Sequence, residues 1–325
     1  MKAVQFSRFG GPEVLQVVDI PEPSAGAGEV LVKVAAAGIN FFEVLMRADR
    51  YAVTPSLPMF PGVEAAGTIE AVGEGVDPRL LGSRVAAPLF VSERPLGGYA
   101  EYVTIDASLA VPLPDTLSFE EATALMVQGL TAFHQLRQSP PANKAVLIPA
   151  AAGGVGSLLI QLARGQGARR IIALAGGKAK RDFVLSLGAD AAIDHQVPDW
   201  AAEVGDVAKG GVDTIYDTVG GAITEDFLDV LSPGGELVFA ALGRLALGVA
   251  ELEAMIGRNQ SLKGFALLPL LTPGVLKASQ SEVFKLAASG QLRVTIGGRF
   301  SLHEAGDAHR LIEERRSTGK VVLIP

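Results

Sequence analysis

Small residues dominate the turn that follows an apolar run near the middle of the chain. Residues 146–148 read VLI, residues 151–156 read AAGGVG, and Ser157 opens a second apolar run. A strand, a tight glycine-rich turn and a helix in this order let backbone N–H groups at the helix amino terminus approach a pyrophosphate. The pattern predicts a dinucleotide-binding turn in which alanine replaces the first glycine of the usual fingerprint.

The next predicted strand bears on which dinucleotide this turn would bind. NAD sites usually place Asp or Glu about 20 residues further on, where the carboxylate accepts the ribose 2′-hydroxyl. Residues 171–181 contain no acid and instead supply Lys178, Lys180 and Arg181. A carboxylate would repel a 2′-phosphate, whereas cations can pair with it. We therefore expect NADP(H), although each of these cations taken alone could equally be a solvated surface charge.

The elements that position this turn are predicted from apolar spacing. The amino-terminal third has short strands between Gly and Pro clusters, which indicates a partly open antiparallel sheet or barrel. Ser118 followed by Glu121 is a capping box that opens a helix. Residues 144–265 alternate apolar strands with helices, as parallel βαβ units do. The last sixty residues predict helices at 281–289 and 303–315 and a strand at 321–324.

Composition excludes several classes of protein. The chain has 325 residues, of which 49% are hydrophobic, and a net charge of −7, so it can bury a core and lacks the basic excess of nucleic-acid binders. It contains no cysteine, which excludes disulfides, thiolate nucleophiles and Cys-ligated zinc. The uncharged stretch between Lys144 and Arg164 is interrupted by Pro149 and glycines, so we expect no membrane span. No signal peptide is evident, and a cytoplasmic location is expected.

An ordered set of short motifs runs along nearly the whole chain. They are AAGIN at 36–40, PGVEAAG at 61–67, GLTA at 129–132, the AAGGVG turn, SLGAD at 186–190, YDTVGG at 216–221 and GKVVLIP at 319–325. In these motifs the chain resembles the zinc-independent medium-chain dehydrogenases/reductases, specifically the quinone oxidoreductase (zeta-crystallin-like) branch. The resemblance implies an α/β protein with a GroES-like catalytic domain from residues 1–118 and 266–325. It also implies a six-stranded, doubly wound Rossmann domain at 119–265, and a homodimer.

The resemblance has a consequence for metal chemistry. Zinc-using relatives carry Cys where Asn40 stands and His where Val63 stands, with a four-cysteine lobe after the position of Arg84. None of these is present, so no metal site is expected. Without a Lewis acid to stabilise an alkoxide, alcohol oxidation is disfavoured, and reduction of a conjugated acceptor is the task that the resemblance implies.

Roles for individual residues follow from the resemblance position by position. The implied cofactor-binding residues are Thr131, Gly153, Gly154, Val155, Gly176, Lys180, His195, Phe239, Phe265, Leu267 and Arg315. Gly153, Gly154 and Val155 would meet the pyrophosphate, and Gly176 and Lys180 would hold the 2′-phosphate. Thr131 would contact the cofactor near the nicotinamide, which Phe239, Phe265 and Leu267 would line. Arg315 matches a basic position near the phosphates. His195 stands where the branch often has Tyr.

Asn40 and Tyr51 are the candidate catalytic residues, because the resemblance places both beside the substrate. Asn40 would orient the substrate or the nicotinamide ribose. Tyr51 would either donate a hydrogen bond or proton to the acceptor oxygen or form an aromatic pocket wall.

The expected function is an NADPH-dependent reductase that transfers hydride to quinones or similar conjugated carbonyls. Because the cofactor carries the difficult chemistry, few acid–base residues are needed, and the sequence is poor in them. Two alternatives stay open: an alkenal or enone double-bond reductase, and a non-enzymatic NADPH-binding protein. The expected partners are a small quinone or enone and a second copy of the chain, with no nucleic acid and no membrane.

Overall fold

The structure, a computed structural model, describes residues 1–325. In it the chain folds into two units. Unit 1 comprises residues 1–130 and 268–325, and unit 2 comprises residues 131–267. The first boundary lies beyond the predicted position at 118/119, because the helix opened by Ser118 packs against strands of unit 1. The second lies at 267/268, whereas the prediction placed it at 265/266.

The regular elements are numbered in chain order. The strands are β1 (Lys2–Gln5), β2 (Gln16–Asp19), β3 (Glu29–Ile39), β4 (Ala65–Val72), β5 (Arg84–Ala87), β6 (Tyr102–Asp106), β7 (Val111–Pro112), β8 (Ala145–Ile148), β9 (Arg170–Leu174), β10 (Ala191–Ile193), β11 (Val212–Asp217), β12 (Leu231–Phe239), β13 (Ser261–Gly264), β14 (Ile296–Ser301) and β15 (Lys320–Ile324). The helices are α1 (Phe41–Arg47), α2 (Phe119–Leu125), α3 (Val127–Gln138), α4 (Gly154–Gly165), α5 (Lys178–Ser186), α6 (Trp200–Ala208), α7 (Ile223–Val230), α8 (Val249–Gly257), α9 (Pro273–Ala288) and α10 (Ala305–Glu313).

Unit 2 is built on a six-stranded parallel sheet in the order β10-β9-β8-β11-β12-β13. Strand β8 is wholly buried, as expected for a central strand covered on both faces. This is the doubly wound order of a Rossmann domain, with β8 at the point where the strand order reverses. The α/β fold class predicted from alternating strands and helices is confirmed.

Unit 1 combines a two-stranded sheet, β1–β2, with a larger antiparallel-rich sheet in the order β14-β15-β3-β4-β5-β7. Strand β6 also pairs with β3. The carboxy-terminal strand β15 runs antiparallel to β3, with Val321 opposite Ile39 and Val322 opposite Gly38. This register brings Lys320 beside Asn40, although 280 positions separate them in the sequence.

The sequence correctly predicted the start of one helix and misplaced the start of another. The capping box at α2 is confirmed: Ser118 N donates to Glu121 Oε2 at 2.9 Å, and Glu121 N donates to Ser118 Oγ at 3.2 Å. The helix predicted at 281–289 was placed too late, because α9 begins at Pro273 with Thr272 as its N-cap. Proline is favoured at the first helical position, and the hydroxyl of Thr272 accepts from Val275 N at 3.3 Å. No helix combines the length and apolar character needed to cross a bilayer.

Candidate functional site

The glycine turn lies where the sequence predicts it, at the carboxyl end of β8. Gly153 is the N-cap of α4, and no acidic residue stands in the first turn of that helix. The first N–H groups of a helix have no intrahelical partner and carry partial positive charge, so this terminus favours an anion. A Cβ on Gly156 would lie 2.6 Å from Ala150 O and from Ala151 Cα, so only glycine allows α4 to pack this closely. The turn therefore has the cradle that a pyrophosphate requires.

The amino end of α5 carries the three predicted cations, whose surroundings differ in the structure. Lys178 pairs with Asp182 at 2.6 Å, and both side chains are exposed. Arg181 pairs with Asp194. Lys180 is half-buried, and burial lowers the pKa of its ammonium.

Asp194 is a residue that the sequence reasoning missed at this place. It follows β10, and its Oδ2 accepts from Gly177 N at 3.0 Å as well as from Arg181. These hydrogen bonds, chiefly that from Gly177, lower the pKa of Asp194. The carboxylate is thus engaged with the loop that opens α5. The dinucleotide fingerprint places its acid after β9, whereas Asp194 follows β10, so the spacing along the chain gives no signal for it.

The other predicted cofactor residues in unit 2 lie at the carboxyl ends of its strands or on α3. Phe239 ends β12, and its carbonyl accepts from Phe265 N at 2.9 Å, which joins two of the predicted nicotinamide-lining residues. Leu267 lies two residues further on and is half-buried. His195 directly follows Asp194 and is also half-buried, and Thr131 lies one turn into α3. Their contacts with a cofactor stay predictions.

A surface cavity of about 640 Å³ in unit 2 lies away from all these residues. It is lined by Asn143, Lys144, Arg169 and residues 232–236 of β12, among others, which stand at the amino ends of the sheet strands. Arg169 pairs there with Asp213 at 2.9 Å. Ligands of open parallel sheets bind at the carboxyl ends, so this cavity is not the candidate dinucleotide site.

In unit 1, Asn40 lies in a buried polar cluster formed by Asn40, Glu43, Glu64 and Lys320, which we call the Asn40 cluster. Lys320 Nζ donates to Asn40 Oδ1 at 3.0 Å and forms a wholly buried ion pair with Glu64 Oε1. Asn40 Nδ2 donates to Glu64 Oε1 at 2.9 Å and to Glu43 Oε2 at 3.3 Å. Both amide hydrogens of Asn40 are therefore used, whereas its oxygen keeps one acceptor position.

Backbone groups complete the environment of the two carboxylates. Glu43 accepts from Asn40 N at 2.8 Å and from Gly62 N at 2.9 Å, and Glu64 Oε2 accepts from Val127 N at 2.8 Å. The pKa of Glu43 is raised to about 7, chiefly by burial and also by the neighbouring Glu64 carboxylate, while the two N–H donors and Lys320 oppose this shift. The cluster thus combines the Lys320 ammonium with two carboxyl groups, one of which, that of Glu43, has a pKa near neutrality.

Sequence reasoning did not single out Glu64 or Lys320 as site residues, although both stand in quoted motifs. Their partners are 24 to 280 positions away along the chain, so no local spacing relates them. The available signal was chemical: two charged residues, each inside an otherwise apolar strand-like segment.

Tyr51 lies just beyond α1 and is positioned by an aromatic contact. Its ring is 5.6 Å from that of Phe42, at an interplanar angle of 32°. Burial raises the pKa of the Tyr51 hydroxyl, so this group stays protonated at neutral pH and can donate a hydrogen bond. Asn40 is the N-cap of α1, so one short helix anchors both candidate catalytic residues.

Arg315, the remaining predicted cofactor residue, belongs to unit 1. It is exposed, follows α10, and has a positive φ of 55°. Its predicted approach to the cofactor phosphates stays a prediction.

Comparison with known proteins agrees with the fold described above. A model of the GroES-like domain of alcohol dehydrogenases matches residues 26–115, and a model described as zinc-binding dehydrogenase matches residues 187–323. The quinone oxidoreductase of Pseudomonas aeruginosa is 35% identical, and the match covers 100% of this chain and 99% of that protein. The crystal structure of Escherichia coli quinone oxidoreductase complexed with NADPH matches with a TM-score of 0.90 at 32% identity over 100% of both chains.

The structure of a mycobacterial protein complexed with NADPH matches similarly, with a TM-score of 0.89 at 32% identity over 100% of both chains. The similarity spans the whole chain in sequence and in structure. The chain therefore belongs to the quinone oxidoreductase branch of the medium-chain dehydrogenases/reductases.

Proposed function

We propose that this protein is an NADPH-dependent reductase that transfers hydride to quinones or similar conjugated carbonyls without zinc. One observation carries the proposal: the glycine cradle at α4 and the amino terminus of α5 follow neighbouring strands of one sheet, and that terminus presents Lys180. A pyrophosphate and a 2′-phosphate together require these two features. The first turn of α5 has no acid, and the nearby Asp194 carboxylate is paired with Arg181. Relatives named quinone oxidoreductase, one of them crystallised with NADPH, support the choice of cofactor and acceptor.

Bound NADPH would supply the hydride, and residues of this chain would bind and orient it. Gly153, Gly154 and Val155 offer backbone N–H groups to the pyrophosphate, and Gly176 and Lys180 hold the 2′-phosphate. The remaining residues predicted to contact the cofactor are Thr131, His195, Phe239, Phe265, Leu267 and Arg315. Holding the nicotinamide against an electron-poor carbon is the main catalytic contribution that a site of this kind makes.

Asn40 can act toward the bound molecules in one way only. Its amide hydrogens are used by Glu64 and Glu43, so the vacant acceptor position on Oδ1 is what it offers. A ribose hydroxyl can donate to that oxygen, whereas a quinone carbonyl cannot. Of the two roles predicted for Asn40, orientation of the nicotinamide ribose is the one that fits this hydrogen bonding.

The residues at the position of the zinc site do not fit a metal ion. Asn40 and Glu64 already contact the Lys320 ammonium, which is itself a cation. No group of three or more His, Cys, Asp or Glu side chains in the chain could hold a metal. We therefore assign no step to zinc.

A steady-state assay of NADPH oxidation tests the proposal. A panel of small quinones and a panel of alkenals and enones are compared under the same conditions. Turnover with quinones supports the proposal, and turnover with enones alone favours double-bond reduction. NADPH binding without turnover of either panel would favour a non-enzymatic role.

Replacing Tyr51 with phenylalanine separates its two predicted roles. If the hydroxyl donates to the developing oxyanion, kcat with quinones is expected to fall about 100-fold, the lower end of the range found when one oxyanion donor is removed. The KM for NADPH should change little. Tyr102→Phe, in strand β6, is a control for loss of a hydroxyl elsewhere in unit 1. Full turnover by Tyr51→Phe would instead identify this residue as a pocket wall and water as the proton source.

A homodimer and a cytoplasmic location, the latter consistent with the absence of cysteine, belong to the same proposal. Strand β13 is the open edge of the unit 2 sheet, and apolar side chains are exposed near it in the chain, including Leu262, Val249 and Ile256, the last two 73% and 75% exposed. Open edges and exposed apolar side chains are typical of surfaces that another chain covers. We expect a dimer by light scattering and a shift toward monomer in Ile256→Glu. A wild-type protein that is monomeric at micromolar concentration would contradict this expectation.

A further inference from the structure

The buried ion pair between Glu64 and Lys320 is costly for a pair that only stabilises the fold. Both side chains are 0% exposed. Removing two charges from water is expensive, and well-packed apolar residues in their place are often as stable or more stable. The hydrogen bonds that the pair makes to other groups therefore indicate its role besides stabilising the fold.

The pair determines which way the Asn40 amide faces. Lys320 Nζ lies 3.0 Å from Asn40 Oδ1, and Glu64 Oε1 lies 2.9 Å from Asn40 Nδ2. A flipped amide would turn its NH₂ group toward the ammonium and its oxygen toward the carboxylate, so both contacts would become repulsive. The charges thus keep the acceptor oxygen of Asn40 in one orientation.

The same carboxylate holds a second element. Glu64 Oε2 accepts from Val127 N at 2.8 Å, and Val127 is the first residue of α3. A carboxylate at a helix amino terminus is favourable for the helix dipole as well as for the hydrogen bond. Thr131, predicted to contact the cofactor near the nicotinamide, stands one turn further along this helix.

Strand β3 is shaped to admit the pair. A Cβ on Gly38 would lie 2.7 Å from Lys320 Cε and would also collide with the Glu64 carboxylate. Gly38 N in turn donates to Glu64 O at 3.2 Å. The backbone of β3 therefore approaches the pair more closely than any other residue at this position would allow.

We propose that Glu64 and Lys320 are positioning residues that fix the Asn40 amide and the first turn of α3 together. This inference rests on the proposed function, because it gives both residues a purpose in cofactor orientation. Neither residue is required to touch substrate or cofactor. Their effect is exerted through Asn40 and through the helix that carries Thr131.

The double variant Glu64→Gln/Lys320→Met tests this role. It removes both charges at once, so no unpaired charge is left buried. Glutamine has one acceptor oxygen where glutamate has two, so the new side chain at this position can hold Asn40 or Val127 N but not both. We expect a thermal midpoint near that of the wild type and a fall in kcat of at least tenfold. The proposed phosphate contacts that hold NADPH lie mainly in unit 2. The dissociation constant for NADPH is therefore expected to change less than threefold.

Hydrogen exchange at residues 127–130 provides a readout that does not depend on activity. Exchange there is expected to become at least tenfold faster in the double variant. The matched control, Lys2→Met/Asp19→Asn, removes an exposed ion pair of unit 1 and should change neither readout. If the double variant does not fold, Glu64→Gln alone, which keeps Lys320 beside Asn40 but removes one of the two acceptor oxygens, is measured against the same exchange threshold.

The outcomes distinguish this inference from the function on which it rests. A folded double variant with wild-type kcat or wild-type exchange at residues 127–130 would overturn the positioning role. A wild-type protein that reduces no acceptor would overturn the proposed function. In that case the exchange rates alone would decide whether the pair holds α3, and unchanged rates would overturn the positioning role as well.

Discussion

Replacing Asn40 with aspartate is expected to destabilise unit 1 by roughly 3–5 kcal/mol at pH 8, the range found when a buried ion pair is broken. The substitution exchanges two N–H donors for acceptors that face Glu64 and Glu43, at the present distances of 2.9 and 3.3 Å. Three carboxyl groups would then share one ammonium, that of Lys320. For a unit of this size the loss corresponds to about 10 °C in the thermal midpoint.

The pH dependence of this loss identifies its electrostatic origin. Burial already raises the pKa of Glu43 to about 7, above its unfolded value, so in the wild type this group lowers stability as the pH rises toward 7. An added carboxylate raises the folded-state pKa values of the cluster further. The folded variant then binds more protons than the unfolded chain, and its deficit shrinks as the pH falls from 8 to 5.

The matched control is Asn40→Ala, which removes the same hydrogen bonds without adding a charge. Its deficit is expected to be nearly constant between pH 5 and 8, whereas that of Asn40→Asp grows with pH. Thermal unfolding of the three proteins across this range measures the difference. Equal midpoints for the two variants at pH 8 would mean that the cluster tolerates a third carboxylate, contrary to the arrangement described here.

The elements that the sequence predicted well are those set by neighbours along the chain. Strand β8, the turn at Gly153 and helix α4 follow from apolar period and glycine content, and the Ser118 capping box lies within four residues. The start of α9 was also readable, because Thr272 followed by Pro273 is a helix-start signal. It was missed because the prediction relied on apolar spacing, which is weak in the first turns of that helix.

The parts that could not be predicted are those set by strand register. Lys320 reaches Asn40 because β15 pairs with β3 with Val321 opposite Ile39, and a shift of one residue would turn Lys320 to the other face of the sheet. Asp194 reaches Gly177 because β10 lies beside β9. Neither pairing follows from spacing within one segment, so the cluster behind Asn40 and the acid beside α5 emerge only in the folded chain.

Replacing Lys180 with alanine is expected to weaken NADPH binding roughly 10- to 100-fold while changing NADH binding less than twofold. The estimate follows from the loss of one charge-assisted hydrogen bond to a phosphate, worth about 1.5–3 kcal/mol. Lys180 stands in the first turn of α5, on the side of the sheet where the dinucleotide is predicted to bind. Titration of cofactor fluorescence with each dinucleotide measures both affinities.

Lys178→Ala is the matched control, because Lys178 lies on the same turn of α5 but its side chain is exposed, whereas that of Lys180 is half-buried. Both substitutions remove one positive charge from the helix amino terminus, so a general electrostatic effect would weaken NADPH binding similarly in the two variants. A specific contact with the 2′-phosphate would weaken it in Lys180→Ala alone. Equal losses for NADPH and NADH in Lys180→Ala would reject this assignment, and preference for the phosphorylated cofactor would then have to come from other groups, such as Arg181, whose charge is shared with Asp194.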